Sequence, residues 1–180
     1  MQTIPTTNKA LYERELHRRN SPYPEIWNLL DDVSDPEIPA LSLWDLGILR
    51  DVEFTEDQFI ITITPTYSGC PAMDTIKEDV TSHLNKNAIP SCSVKLKLSP
   101  AWTTDDMTEQ GRNKLREYGI APPNDVAGGC INHCTPTAHV KCPHCNSTNT
   151  LLVSEFGSTA CKALFKCEDC CEPFDFFKNI

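Results

Sequence analysis

Two short cysteine pairs near the end of the chain, Cys142-Pro-His-Cys145 and Cys167-Glu-Asp-Cys170, constrain the fold more than any other feature. Each pair sets two thiols on one tight turn, and two such turns present four sulfur ligands tetrahedrally to one metal ion. The 21 residues between Cys145 and Cys167 hold strand-forming stretches at 150–156 and 162–166 around a Gly157-Ser158-Thr159 turn. The pattern reads as two knuckles joined by a hairpin, a zinc ribbon over residues 140–180. A module this small buries too little apolar surface to fold alone, so the ion is expected to supply most of its folding free energy. Zinc is the expected structural ion, because a closed four-thiolate shell leaves no position open for a substrate. Iron in a rubredoxin-like site is the alternative, and spacing does not separate the two metals. Cys171 follows a ligand directly, where glycine is commonly found, and reads as a neighbour of the site.

Eight of the ten cysteines lie in the last 51 residues. Such a density can mark a secreted disulfide framework, but CxxC pairs in a strand-rich tail fit a reducing compartment better. The net charge is -9. Residues 1–120 carry 12 Lys and Arg against 19 Asp and Glu, and residues 121–180 carry 4 against 6, so neither part is built for a nucleic-acid backbone. No basic start leads into an apolar run, and no stretch of about 18 apolar residues occurs. A cytoplasmic protein with no nucleic-acid or membrane partner is the expectation.

Upstream of the ribbon the chain has the pattern of a small α+β domain. Residues 1–20 are polar and charged around Leu11 and Leu16, an arm or a helix that needs a partner. Ser21-Pro22-Tyr23-Pro24 supplies helix-start chemistry, and Ile26, Leu30 and Val33 give one buried face until Pro36 and Pro39 stop the helix. Strands at about 48–54 and 58–64 flank a Thr55-Glu56-Asp57 turn and form an antiparallel hairpin. Pro71 opens a helix with the stripe Met73, Ile76, Val80 and Leu84. A third strand alternates, with Cys92, Val94, Leu96 and Leu98 expected inward. The order α-β-β-α-β defines a domain over 21–120 with helices covering a three-stranded sheet, closed by a helix from Thr104 to Tyr118. Ala121-Pro122-Pro123 begins a linker over 121–139.

One cysteine of this domain stands apart, in Thr66-Tyr67-Ser68-Gly69-Cys70-Pro71. With Pro71 as first helical residue, Cys70 is the N-cap, where free backbone N–H groups and the helix dipole favour the thiolate. Gly69 leaves room for another molecule, and a soft metal, an iron-sulfur cluster or an electrophile would all find such a sulfur. The alternative is a small hydrophobe closing the core. Asp35 and Glu37, in the turn leaving the first helix, are carboxylates to place against Cys70. Cys130, His133, Cys134 and His139 offer mixed ligands for a further metal, against an ordinary linker. No catalytic triad and no phosphate-binding glycine loop is recognisable.

Asp35-Pro-Glu-Ile-Pro39, Trp44-Asp-Leu-Gly-Ile48 and Thr64-Pro-Thr-Tyr-Ser-Gly-Cys-Pro71 resemble the small domain of SufT-type iron-sulfur assembly factors. Leu98-Ser-Pro-Ala-Trp-Thr-Thr-Asp105, Lys114-Leu-Arg-Glu-Tyr-Gly-Ile-Ala-Pro-Pro123 and Glu155-Phe-Gly-Ser-Thr-Ala-Cys-Lys-Ala-Leu164 narrow the resemblance. They are similar to the PaaD (also PaaJ) family, a component of the bacterial 1,2-phenylacetyl-CoA epoxidase system. The resemblance implies aerobic phenylacetate catabolism, in which a multicomponent di-iron oxygenase epoxidises the aromatic ring. It implies an accessory role in metal-centre maturation, with the oxygenase or reductase subunits and the iron-sulfur assembly machinery as partners. A standing regulatory or electron-transfer subunit is the competing role. The family's functional cysteine maps onto Cys70, and its ribbon ligands onto Cys142, Cys145, Cys167 and Cys170. Transient iron or an iron-sulfur cluster is the implied cargo beside structural zinc, and Cys161, inside a matched stretch, is a candidate second thiol.

Overall fold

Alternating apolar residues pair β1 (Leu49–Thr55) with β2 (Gln58–Ile63) as an antiparallel hairpin. The two turn residues, Glu56 and Asp57, both take positive φ, the twist-matched conformation of a two-residue hairpin loop. The computed structural model describes residues 9–123 and 140–180. They divide into two compact units between Thr108 and Glu109. The expected domain edge at 120 therefore differs from the structural one, because the short strand β4 (Ile120–Ala121) pairs with the ribbon strand β7 (Pro173–Phe177).

In the first unit the helical stripe of α4 (Met73–Lys86) is as the sequence spaced it: Met73, Ile76, Val80 and Leu84 are buried. The helix returns the chain so that β3 (Cys92–Leu96) lies parallel to β2, in the order β1-β2-β3. A parallel partner requires such a crossover, and β3 becomes an edge strand. Its inward alternation is consequently weak. Leu96 and Leu98 are 43 % and 63 % exposed, and Cys92 and Val94 are only half-buried.

Helix α2 (Pro24–Leu30) begins with proline and buries Ile26, Trp27 and Leu30. The polar stretch, by sequence an arm or a helix in need of a partner, is over the described residues helix α1 (Lys9–Arg19), and Arg14 anchors it. The Arg14 guanidinium donates to the carbonyls of Asp106 and Trp44 and stacks 4.4 Å from the Trp44 ring centroid. Burial, then the neighbouring Arg50 charge, pushes Arg14 down to about 10, so it stays charged at neutral pH.

The motif Trp44-Asp-Leu-Gly47 forms a one-turn helix, α3 (Leu43–Leu46), capped by the Ser42 hydroxyl. Residues 102–108 clasp it. Trp102 Nε1 donates to the Leu46 carbonyl, and the Thr108 hydroxyl donates to Asp45 Oδ1 at 2.7 Å. Arg50 forms a two-bond pair with the Asp106 carboxylate at 2.7 and 2.8 Å. Gly47 has φ +86, and a Cβ there would stand 2.4 Å from the Asp106 carbonyl oxygen, so no side chain fits. The single helix expected over 104–118 is instead a 3₁₀ turn at Thr104–Asp106, held by a Thr103–Asp106 capping box, and a separate α5 (Glu109–Glu117).

The second unit is a four-stranded sheet in the order β4-β7-β6-β5, with β5 at Thr150–Ser154 and β6 at Lys162–Cys167. Val140, Ala163, Phe165, Phe174 and Phe176 pack with Cys142 and Cys167 into one core, so these two cysteines border the apolar interior. Ala121, expected in the linker, is a buried strand residue there. The architecture is α+β: helices α1 to α3, the β1-β2 hairpin, α4 and β3 in the first unit, which contains the expected α-β-β-α-β order, followed by the C-terminal ribbon sheet.

Candidate functional site: a four-sulfur cluster and a cysteine-bearing loop

The sulfur atoms of Cys142, Cys145, Cys167 and Cys170 all lie within 4.8 Å of one another. Cys142 and Cys170 are 3.8 Å apart, and Cys145 and Cys167 are 3.5 Å apart. Disulfides would bring sulfurs to about 2.05 Å. Four sulfurs coordinating one ion at about 2.3 Å stand about 3.8 Å from each other, the edge of a tetrahedron. The group therefore fits a closed metal site.

The local backbone explains how the sulfurs converge. In each knuckle the residue after the second cysteine turns left-handed, Asn146 at φ 62 and Cys171 at φ 65. Asparagine tolerates this conformation, whereas cysteine carries its steric cost. Cys171 is exposed and outside the four-sulfur group. The Asn146 N–H donates to the Cys142 carbonyl and the Cys167 N–H to that of Glu172, closing both turns. The Cys170 N–H, aided by that of Asp169 and opposed by burial, pulls the Cys167 thiol down to about 7. Asp169 ties the knuckles together, accepting from the Ser147 hydroxyl at 2.5 Å and the Asn149 amide at 2.7 Å.

Cys70 lies in the other unit, in the connection from β2 to α4. That connection starts beside the clasped α3, where Thr64 N–H donates to the Ile48 carbonyl at 2.8 Å. Thr64 and Thr66 are buried, Ser68 and Gly69 are exposed, and Cys70 is half-buried. Cys70 is not the N-cap. Its N–H closes a turn on the Tyr67 carbonyl, Pro71 has no N–H to give, and the Ile76 N–H bonds the Ala72 carbonyl. The N-cap is accordingly Ala72, two residues on, so Cys70 lies outside the helix terminus that would favour its thiolate. Cys92 faces α4, where burial pushes its thiol up against the opposing hydrogen bond of Thr81.

Because Leu49 pairs with Ile63, the chain enters β1 and leaves β2 at one end of the sheet. The connection carrying Asp35 and Glu37 feeds that end through α3. Asp35 is buried, and its Oδ1 accepts from the N–H groups of Glu37 and Ile38, both at 2.9 Å. That bonding shapes the loop. Glu37 is half-buried. Cys161 is buried in the second unit with the Thr159 hydroxyl 3.0 Å from its sulfur. It stands at the far end of β6 from Cys167, roughly 20 Å along the strand. Cys130, His133, Cys134 and His139 lie outside the described residues.

Sequence reasoning missed the clasp of Arg14, Arg50 and Asp106 on α3, which left no periodic signal. It also missed β7, although Phe174 and Phe176 alternate as strand residues do.

Residues 24–96 match a family model described as an iron-sulfur cluster assembly protein, and residues 130–178 match the PaaD zinc beta ribbon domain. The provisionally assigned PaaD component of the 1,2-phenylacetyl-CoA epoxidase of Escherichia coli (strain K12) is 49 % identical over 87 % of this chain and 92 % of its own. The chain belongs to the PaaD family of phenylacetyl-CoA epoxidase components. An Fe-S protein maturation auxiliary factor of Porphyromonas gingivalis (strain ATCC BAA-308 / W83) is 34 % identical over 51 % of this chain and 88 % of its own. A crystal structure of a domain of unknown function, DUF59, from Bacillus anthracis is 26 % identical. It covers 58 % of this chain and 95 % of that one, with a TM-score of 0.47. Among the described residues, no helix is long and apolar enough to cross a membrane.

Proposed function

We propose that this protein is an accessory factor of the phenylacetyl-CoA epoxidase system and prepares a metal centre of that system for catalysis. The observation that carries the reading is the separation of two kinds of sulfur. Four cysteines of the second unit converge in one closed group, while Cys70 lies outside it, on a loop with an exposed turn in the unit that matches iron-sulfur assembly proteins. A closed cluster holds shape, and a sulfur outside such a cluster can take up a cargo and release it.

In this reading zinc is the resident ion of Cys142, Cys145, Cys167 and Cys170, and its role is structural. Cys70 is the transient ligand for iron or an iron-sulfur cluster, the exposed Ser68 and Gly69 leave space for that cargo, and Asp35 shapes the neighbouring loop that carries Glu37. Cys161 is held in reserve as a second thiol. The partners are the oxygenase or reductase subunits that receive the metal and the assembly machinery that supplies it.

The test compares epoxidase and reductase purified from cells with the protein, without it, and with Cys70→Ala. Iron content and phenylacetyl-CoA turnover should fall together in the last two while the subunits still assemble. Full metallation and activity in its absence would remove maturation and leave a standing regulatory or electron-transfer subunit.

A further inference from the structure

Beside the first knuckle, the ribbon unit holds a small cavity of about 160 Å³. Pockets for whole small molecules run to roughly 300–1,000 Å³, so this one has room for a single chemical group. Its buried floor includes Ala121, Pro123 and Cys142. The exposed residues Arg116, Lys141 and Asn146 bring a guanidinium, an ammonium and a carboxamide to it. Among the described residues, no carboxylate lines the cavity.

The two cations lack the partners that the cations of β6 have. Lys162 stands 3.9 Å from Asp175, and Lys166 stands 3.1 Å from Glu168. Arg116 donates from Nη1 to the neutral Asn113 Oδ1 at 3.0 Å, and among the described residues no hydrogen bond or ion pair holds Lys141. A cation in the last turn of α5 suits the helix dipole, which accounts for Arg116 taken by itself. It does not account for Lys141, which lies outside any helix and adds a second positive charge to the same cavity.

We propose that this cavity binds a phosphate group. Two positive charges with no acid beside them match the charge of about −1.5 to −2 that a phosphate monoester carries at neutral pH, whereas a carboxylate would leave one of them unbalanced. The Arg116 fork suits the oxygens of a phosphate, Lys141 adds a point charge, and Asn146 offers a neutral donor. Free orthophosphate and the phosphate ester of a coenzyme A thioester present this same chemistry. The second source rests on the place in the phenylacetyl-CoA epoxidase system proposed above.

The intact, metal-loaded chain is titrated at constant ionic strength with inorganic phosphate, coenzyme A, 3′-dephospho-coenzyme A and acetate, and amide NMR shifts are followed. Phosphate should shift the amides of Arg116, Lys141 and Asn146 and saturate with a Kd on the order of 1 mM. Acetate should bind at least about fivefold more weakly, for want of the second charge. Arg116→Ala and Lys141→Ala should each weaken phosphate binding by about tenfold, the loss of one charge-assisted contact, with metal content unchanged. Coenzyme A binding tighter than phosphate, with the gain lost in the dephospho form, assigns the ester as the source, and equal affinity assigns free phosphate. No saturable shift at these residues below about 20 mM phosphate or coenzyme A overturns the proposal. So does acetate binding as tightly as phosphate, or phosphate binding that neither variant weakens. None of these readouts involves the iron content of the epoxidase, so the cavity and the maturation role fail separately.

Discussion

Cys171 carries a backbone conformation that its side chain disfavours, and it does so because the second knuckle must turn left-handed after Cys170. The first knuckle solves the same problem with Asn146. Cys171→Gly should accordingly stabilise the metal-loaded ribbon by about 1 kcal/mol, the order of the penalty removed, read as a higher denaturant midpoint at unchanged metal content. The thiols of the first unit separate by setting. Cys70 follows an exposed turn, whereas Cys92 is on a strand against Thr81 with its thiol pushed up by burial. At neutral pH an alkylating reagent should modify Cys70 first, and mass mapping that finds Cys92 modified equally fast would return Cys70 to a packing role.

Each element of the first unit is held by a neighbour that is remote in sequence. α1 has no apolar stripe broad enough to dock, and a buried guanidinium does the work that leucines do elsewhere. The short helix α3 survives at four residues because the 102–108 segment supplies its hydrogen-bond partners. Asp106 joins the two, through its carbonyl to Arg14 and its carboxylate to Arg50. Asp106→Ala leaves the half-buried Arg50 charge without its partner and should cost about 2 kcal/mol. The loss should show first as faster hydrogen exchange in α1 and α3, whereas uniform loss across the ribbon as well would contradict a local clasp. Gly157 in the second unit is tightly placed as well, since a Cβ there would push the Asp175 carboxylate aside.

For the molecule as a whole, the two units should fail separately. The ribbon core is eight buried residues, two of them from the four-sulfur group, so replacing one of these cysteines alters both the metal site and the core. Cys167→Ser should release the metal held by the four-sulfur group and unfold the ribbon, with a loss on the order of 10 kcal/mol of metal-linked folding energy. Circular dichroism and metal analysis should find the first unit still folded. Retention of the full metal content would take Cys167 out of the ligand set. The same separation matches the proposed division of labour, in which one unit holds a structural metal and the other carries Cys70.

The four-cysteine cluster, the hairpin of β1 and β2, the stripe of α4 and the strands of the ribbon hairpin were all legible in the chain, because each depends on local spacing. CxxC geometry, two-residue alternation and a helical repeat act over a few neighbours, and physics at that range is written residue by residue. What required the folded molecule was every outcome set by partners distant along the chain. Leu96 became exposed because β3 found only one neighbour, Ala121 became a strand because β7 was there to pair with it, and Arg14 became an anchor because Trp44 and Asp106 were brought to it. Cys70 belongs to the same class. Its place outside the helix depends on the turn that Tyr67 closes and on the bond that ties Thr64 to Ile48, and no spacing of residues carries that information.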